Sequence, residues 1–194
     1  MPNKTYHHGN LSAELVLQAI QLLESEGLEA LSLRRVAKET GVSQAAPYSH
    51  FKDKKALMSA VAIEGYRRFE LKMRKGTERE SHYIIGLGMG YVMFALENPA
   101  LFSLMFSGER VNFTEVDNNS HAFSTSYALL LNAVKEDPLV QFGKEKPEFD
   151  SMFLWSLVHG LAKLILAKRI QGADFAYESD ESLVRALLEK YLVV

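Results

Sequence analysis

Residues 32–51 read Ser32-Leu-Arg-Arg-Val-Ala-Lys-Glu-Thr-Gly41-Val-Ser-Gln-Ala-Ala-Pro-Tyr48-Ser-His-Phe51. Ser32 is a good N-cap residue, and Leu33, Val36 and Ala37 then fall on one face of a short helix ending near Thr40. Gly41-Val42 makes a tight turn, with Gly41 in a backbone conformation that a Cβ resists. Ser43 caps a second short helix, Gln44 to His50. Two short helices joined by a glycine turn form the helix-turn-helix pattern. Ala37 is small enough for the second helix to cross closely over the first, and Val42 fills the angle between them. The second helix offers its N-terminal residues to a DNA major groove.

The side chains around this unit suit that task. Ser43 and Gln44 carry groups for base edges or phosphates. Ala45 and Ala46 let the helix approach, and an alanine methyl can meet a thymine methyl. Tyr48 and His50 reach the sugar–phosphate backbone, and Lys54, in the first turn of the next helix, meets a phosphate. Arg34 and Arg35 stand on the helix that crosses the backbone. The same local pattern also fits an ordinary helical protein. Tyr48 would then be a core aromatic and His50 a surface residue, while Phe51 is core in either case.

Outward from this stretch the patterning stays helical. Asn10 caps a helix to Glu26, with Leu15, Ala19, Leu22 and Leu23 at helical spacing and Gly27 as the stop. Asp53 caps a long helix to Lys75 with Leu57, Val61, Phe69 and Met73 inward, and Gly76 to Glu80 reads as a break. Further helices are expected over 81–97, from Asn98-Pro99 onward with Pro at N1, and over 120–136, 148–171 and 180–192. Loops fall at 107–119 and 137–147. Strand signals are nearly absent. The expected fold is all-α with about nine helices: a three-helix head over 1–52, a connecting helix over 53–76, and a helical bundle over 77–194.

Composition agrees. A chain of 194 residues at 47% hydrophobic builds a real core, and 24% charged is ordinary for a soluble globular protein. With no cysteine there is no disulfide or thiolate metal site, and a cytoplasmic home is expected. No N-terminal signal segment is read. The most apolar stretch, 152–170, is interrupted by Ser156, His159, Gly160, Lys163 and Lys168, which reads as a buried helix rather than a membrane span. Net charge is -2, but residues 1–75 hold twelve Lys and Arg against eight Asp and Glu, and residues 76–194 hold ten against sixteen. A basic head on an acidic body is the electrostatic arrangement of a DNA reader.

The run Gly41-Val-Ser, Tyr48-x-His50-Phe51-x-x-Lys54-x-x-Leu57, with Gly27 and Leu33-Arg-x-Val36-Ala37 before it, resembles the TetR/AcrR signature across residues 10 to 70. That resemblance implies a three-helix DNA-binding head, a connecting helix, and a variable C-terminal body that dimerises and often binds a small ligand. It also implies a pseudo-palindromic operator, with repression the usual outcome and activation the alternative. One departure stands out: Pro47 occupies a position where the family commonly has Leu, Ile or Phe. It lacks an N–H and biases Ala46 away from the helical region, so a tightened first turn of the recognition helix is expected. Trp155-Ser-Leu-Val-His159-Gly160 is similar to the Trp…His-Gly motif of one C-terminal subgroup, which often shows an Ala-Pro-Tyr recognition helix as well.

In the body, the helix from Glu148 is apolar nearly all round. Met152, Leu157, Leu161, Leu164 and Ile165 there, with Leu183, Leu187 and Leu188 on the last helix, are the expected dimer contacts, forming a four-helix interface between two copies. The alternative is a single-chain core with these helices central. Tyr91, Phe94, Phe102, Phe106, Phe123, Tyr127, Trp155 and His159 are the candidate lining of a small-molecule effector pocket; an aromatic stripe at helical spacing is also ordinary core. Gly86-x-Gly88-x-Gly90 follows no strand, so it reads as close helix packing rather than a dinucleotide fingerprint. Ser156, His159 and Asp150 lack the oriented base and exposed nucleophile of a hydrolytic triad, and His7, His8, His50, His82 and His121 lack metal-ligand spacing. No enzyme, cofactor, metal or membrane partner is expected.

Overall fold

The computed structural model describes residues 11–107, 120–136 and 146–192, without the side chains of 120–124. Among the described residues there are eight α-helices and no strand. They are α1 (Leu11–Glu26), α2 (Leu33–Thr40), α3 (Lys54–Thr77), α4 (Tyr83–Glu97), α5 (Pro99–Met105), α6 (Ser120–Glu136), α7 (Pro147–Leu166) and α8 (Asp180–Leu192). The helix expected over Gln44–His50 is a single 3-10 turn, Ala46–Ser49. Pro47 has no N–H to return to Ser43, so the segment closes through i→i+3 bonds. The amides of Ala46, Tyr48 and His50 donate to the carbonyls of Ser43, Ala45 and Pro47 at 3.0–3.1 Å.

Two of the expected caps form; Ser43 does not cap its segment, where Ala45 stands at the N-cap without a side-chain bond, and Asn10 lies outside the described residues. Ser32 Oγ accepts from the Arg35 amide at 3.1 Å, and Asp53 Oδ1 from the Ala56 amide at 2.8 Å. Gly41 has φ 76°, the left-handed region that ends α2. α7 stops at Leu166, five residues before the expected end. Lys168 takes φ 53° there, and the amides of Lys168 and Arg169 donate to Ile165 and Leu164, a Schellman closure without glycine. Gly76 does not break α3, which runs on to Thr77.

The chain divides into two compact units. The first holds described residues 11–65 and 100–107. Leu15, Leu23, Leu31, Val36 and Leu57 are fully buried in it, and so are Leu101 and Phe102 of α5. The Glu24 carboxylate of α1 accepts from the amides of Ala100 (3.2 Å) and Leu101 (2.7 Å), which satisfies donors that a helix start leaves open. α5 is thus built into the head, although it follows α4 in sequence.

The second unit holds described residues 66–99, 120–136 and 146–192. α4 is its centre, buried along almost its whole length and packed on α6, α7 and α8. Three glycines set its crossing with the end of α3. A Cβ on Gly76 would lie 2.2 Å from the Gly86 carbonyl oxygen, one on Gly86 2.4 Å from Thr77 Cα, and one on Gly90 2.6 Å from the Lys72 carbonyl oxygen. Gly88, on the opposite face of α4, receives Leu188 of α8.

Candidate nucleic-acid interface

The exposed segment after Gly41 is carried by α2 and its glycine turn. The Gly41 and Val42 amides donate to Lys38 and Ala37 at 3.1 and 3.0 Å, and α2 packs on both α1 and the 3-10 turn. Pro47 and Phe51 are buried and fix the turn from below. Ser43, Gln44, Ala45, Tyr48, Ser49 and His50 are exposed, while Ala46 is half-buried. Tyr48 leaves 51% of its surface in solvent, which rules out the core role open to it in sequence. Ser49, absent from the candidates, lies on the same segment, and its hydroxyl donates to the Ala46 carbonyl.

The cations divide into committed and uncommitted. Arg35 Nη2 donates to Glu26 at 2.9 Å, and its Nε lies 3.0 Å from Glu39 but out of line for a hydrogen bond. Arg35 therefore ties α2 to the end of α1. Arg34 is exposed with no ion pair among the described residues. The Lys54 ammonium donates to the Leu28 carbonyl at 3.1 Å, leaving two of its three protons for an outside oxygen. Lys38 and Lys55 are exposed as well; their charge within the basic third was the signal that could have named them.

A solvent-facing row of amide, hydroxyl, phenol and imidazole groups flanked by cations suits a long polyanion. A 3-10 turn of four residues fits a major groove about 12 Å wide. Its tighter pitch, 3.0 residues per turn, sets the spacing of the exposed side chains. Pro47→Leu is expected to restore α-helical pitch, changing sequence preference while operator affinity remains measurable. Competition binding against duplexes varied base by base measures this; an unchanged preference and affinity would refute the role of Pro47.

The aromatic candidates of the body fall into two places. Tyr91, Phe94, Tyr127, Trp155 and His159 lie in the second unit. Trp155 Nε1–H donates to Tyr91 Oη at 3.0 Å, and Tyr91 Oη lies 2.8 Å from His159 Nδ1. Indole only donates, whereas a phenol both accepts and donates, so the Tyr91 hydroxyl links the indole and the imidazole in one polar chain. Burial, then the Lys163 charge, lowers the His159 pKa, and burial raises that of Tyr91. Phe69 packs edge-on against Tyr91 and Phe94, and Tyr127 lies 5.8 Å from Trp155. The cavity beside Tyr91 is only about 20 Å³, closed by residues such as Ile84, Leu87 and Leu154. Phe102 and Phe106 instead lie against each other in the first unit, their ring centroids 4.8 Å apart and their planes tilted by 56°. The side chain of Phe123 lies outside the described residues.

The dimer candidates divide too. Leu161, Ile165, Leu183 and Leu188 are buried in the chain's own core, and Leu187 is half-buried. Met152, Leu157 and Leu164 are exposed, with Phe149 (66%) and Phe153 (59%) beside them. Phe149 and Phe153 were not among the candidates; their i, i+4 spacing, continued by Leu157 and Leu164, was the available sign.

An exposed helix-turn-helix joined by a long helix to an all-helical body defines a DNA-binding transcriptional regulator. The chain belongs to the TetR family: the model of bacterial regulatory proteins of the tetR family matches residues 15–61, and that of the tetracyclin repressor-like C-terminal domain matches 84–189. It is 24% identical over 182 residues to YobS, an uncharacterized HTH-type transcriptional regulator of Bacillus subtilis, covering 92% of this chain and 91% of that one. It is 47% identical over 53 residues to the class C tetracycline repressor protein of Escherichia coli, which is 27% of this chain and 24% of that protein. A protein of unknown function from Rhodococcus sp. RHA1 has the same fold, with a TM-score of 0.79, 29% identity, and coverage of 98% and 97%.

Proposed function

We propose that the protein binds a pseudo-palindromic operator as a homodimer, represses transcription there, and is released by a small-molecule effector sensed in the body. The observation that carries this is the exposed row Ser43, Gln44, Ala45, Tyr48 and His50 in the segment packed on α2. One such turn reads few bases. Two of them about 34 Å apart meet successive major grooves, so a dimer is needed. The apolar stripe of α7 from Phe149 to Leu164 supplies its contact. Gly160 lies in that stretch, and a Cβ there would meet nothing within 4 Å in the single chain, which leaves room for a partner's helix.

α7 is also long and apolar enough to cross a membrane by length and composition. Its other face, with Leu154, Val158 and Leu161, is buried against α4 and α6, so we assign the exposed stripe to a second copy. We read no catalytic role. The Ser156 hydroxyl is exposed and donates to the Met152 carbonyl at 2.8 Å, with no base on it among the described residues. Effector coupling of about 1–3 kcal/mol suffices for release, acting in the cytoplasm where the operator lies.

The test is a fluorescence-anisotropy titration of duplexes tiling the DNA upstream of the gene, at three salt concentrations. One tile should bind well above the rest, with a log–log salt slope of roughly −0.9 per phosphate contact. Gln44→Ala and Tyr48→Ala should each lower affinity for that tile about 5- to 100-fold. Phe153→Glu should give a monomer by sedimentation and abolish tight binding. No binding to any duplex at low salt would defeat the reading.

A further inference from the structure

The second unit carries a cleft that the aromatic set does not use. It has a volume of about 220 Å³ and lies where the end of α3, α4 and α8 meet. That is room for roughly seven waters at about 30 Å³ each, or for one small organic molecule. Gly76, Gly90, Met89 and Met93 give it an uncharged floor. Its rim holds four cations, Lys72, Lys75, Arg79 and Arg185, and three carboxylates, Glu80, Glu97 and Glu181.

The ion pairs distribute unevenly. Lys72 Nζ bonds Glu97 at 2.6 Å, and Arg185 bonds Glu80 at 2.5 Å, with Glu181 3.6 Å away. All three carboxylates are thus spent on two cations. Lys75 and Arg79 are exposed and have no ion pair among the described residues. A helix end can attract cations merely to offset its open carbonyls. Here the Arg74 carbonyl already accepts from the Thr77 hydroxyl and the Gly76 carbonyl from the Arg79 amide, at 2.7 and 3.2 Å. An ammonium and a forked guanidinium are left at the mouth of a part-apolar cleft whose seven charged groups sum to +1.

We propose that this cleft is the effector site, taking a small organic monoanion: a carboxylate held by Arg79 and Lys75, with its short apolar body over Gly90 and Met93. Guanidinium matches carboxylate geometry with two parallel N–H···O bonds. The location also explains how occupancy reaches α3. The floor of the cleft is the glycine crossing of α3 and α4, so a molecule seated there bears on both helices. This assignment rests on the reading of the body as a sensor.

The test measures binding to the intact protein by thermal shift and calorimetry without DNA, using benzoate and hexanoate against benzamide and hexanamide. The acids should bind and the amides should not. The exposed pair Lys75→Ala/Arg79→Ala should keep its melting temperature without ligand, yet bind the acids at least tenfold more weakly. Arg79→Lys should recover part of that loss. In a separate titration, benzoate should weaken operator binding of the native protein and leave the double variant unaffected. Equal binding of acids and amides, unchanged binding by the double variant, or no binding of either acid overturns the site. Acid binding that leaves operator affinity untouched overturns the effector role. If the protein binds no operator at all, the regulator reading fails, while the binding data alone still decide the site.

Discussion

A fragment ending at Gly76 is expected to be largely unfolded at 25 °C, although it contains the whole helix-turn-helix and the connecting helix. The core of the head is completed by α5, which comes later in the chain. Leu101 and Phe102 are 0% exposed, and Leu104 and Met105 nearly so. Burying four such side chains contributes about 6–12 kcal/mol at roughly 1.5–3 kcal/mol each. A whole domain is stable by only about 5–15 kcal/mol. The fragment also loses the Glu24 bonds to the α5 amides, which leaves that carboxylate of α1 without its acceptor role. Circular dichroism and proton NMR of the fragment beside the intact chain decide the matter. A cooperative unfolding transition with dispersed amide signals would show that the head closes without α5. In the intact chain, Phe102→Ala should cost about 3–5 kcal/mol, read as a lowered denaturation midpoint with unchanged slope.

Gly86→Ala and Gly90→Ala should each destabilise the body by about 1–3 kcal/mol, even though alanine is the better helix former by about 1 kcal/mol. The added methyl meets main chain, which cannot rotate away. At Gly86 it lies 2.4 Å from Thr77 Cα and 2.7 Å from Thr77 N, and at Gly90 2.6 Å from Met73 Cα. The helices must part, and a gap of about 0.5–1 Å already forfeits a quarter to a half of a contact's attraction. Gly88→Ala is the comparator. Its methyl meets the end of the Leu188 side chain at 2.9 Å, which can shift, so its cost should be smaller. Thermal unfolding of the three variants gives the order; a Gly88→Ala loss equal to the others would mean that side-chain crowding, not backbone approach, governs the crossing. The consequence for function is direct. α4 carries Tyr91 to Trp155 and His159, and its glycines clasp the end of α3. Loosening that clasp should lessen any response of α3 to a ligand bound against α4.

Much of this molecule is local, and what is local could be read from residue order. Ser32 and Asp53 bond the amides three residues ahead, so a short polar side chain before an apolar-periodic run announces the helix start. Gly41 ends α2 because its backbone turns left-handed, and Pro47 tightens the reading segment because it has no N–H to give. The all-α class, the helix-turn-helix and its exposed polar row follow from such effects within a few residues of one another.

Partnership across long separations was decided only by packing. Apolar periodicity says that Phe102 and Trp155 are inward-facing, not which core receives them. The chain places Phe102 with the head and Trp155 on Tyr91 in the body. Gly76 looked like a helix break because nothing local shows that Gly86 lies against it. The cation-lined cleft joins residues 72–79 to Arg185, a proximity that no spacing encodes. Short-range hydrogen bonding and backbone preference are properties of the sequence itself. The division of one apolar set among two cores and an exposed stripe on α7 arises only when helices distant in the chain compete for the same buried volume.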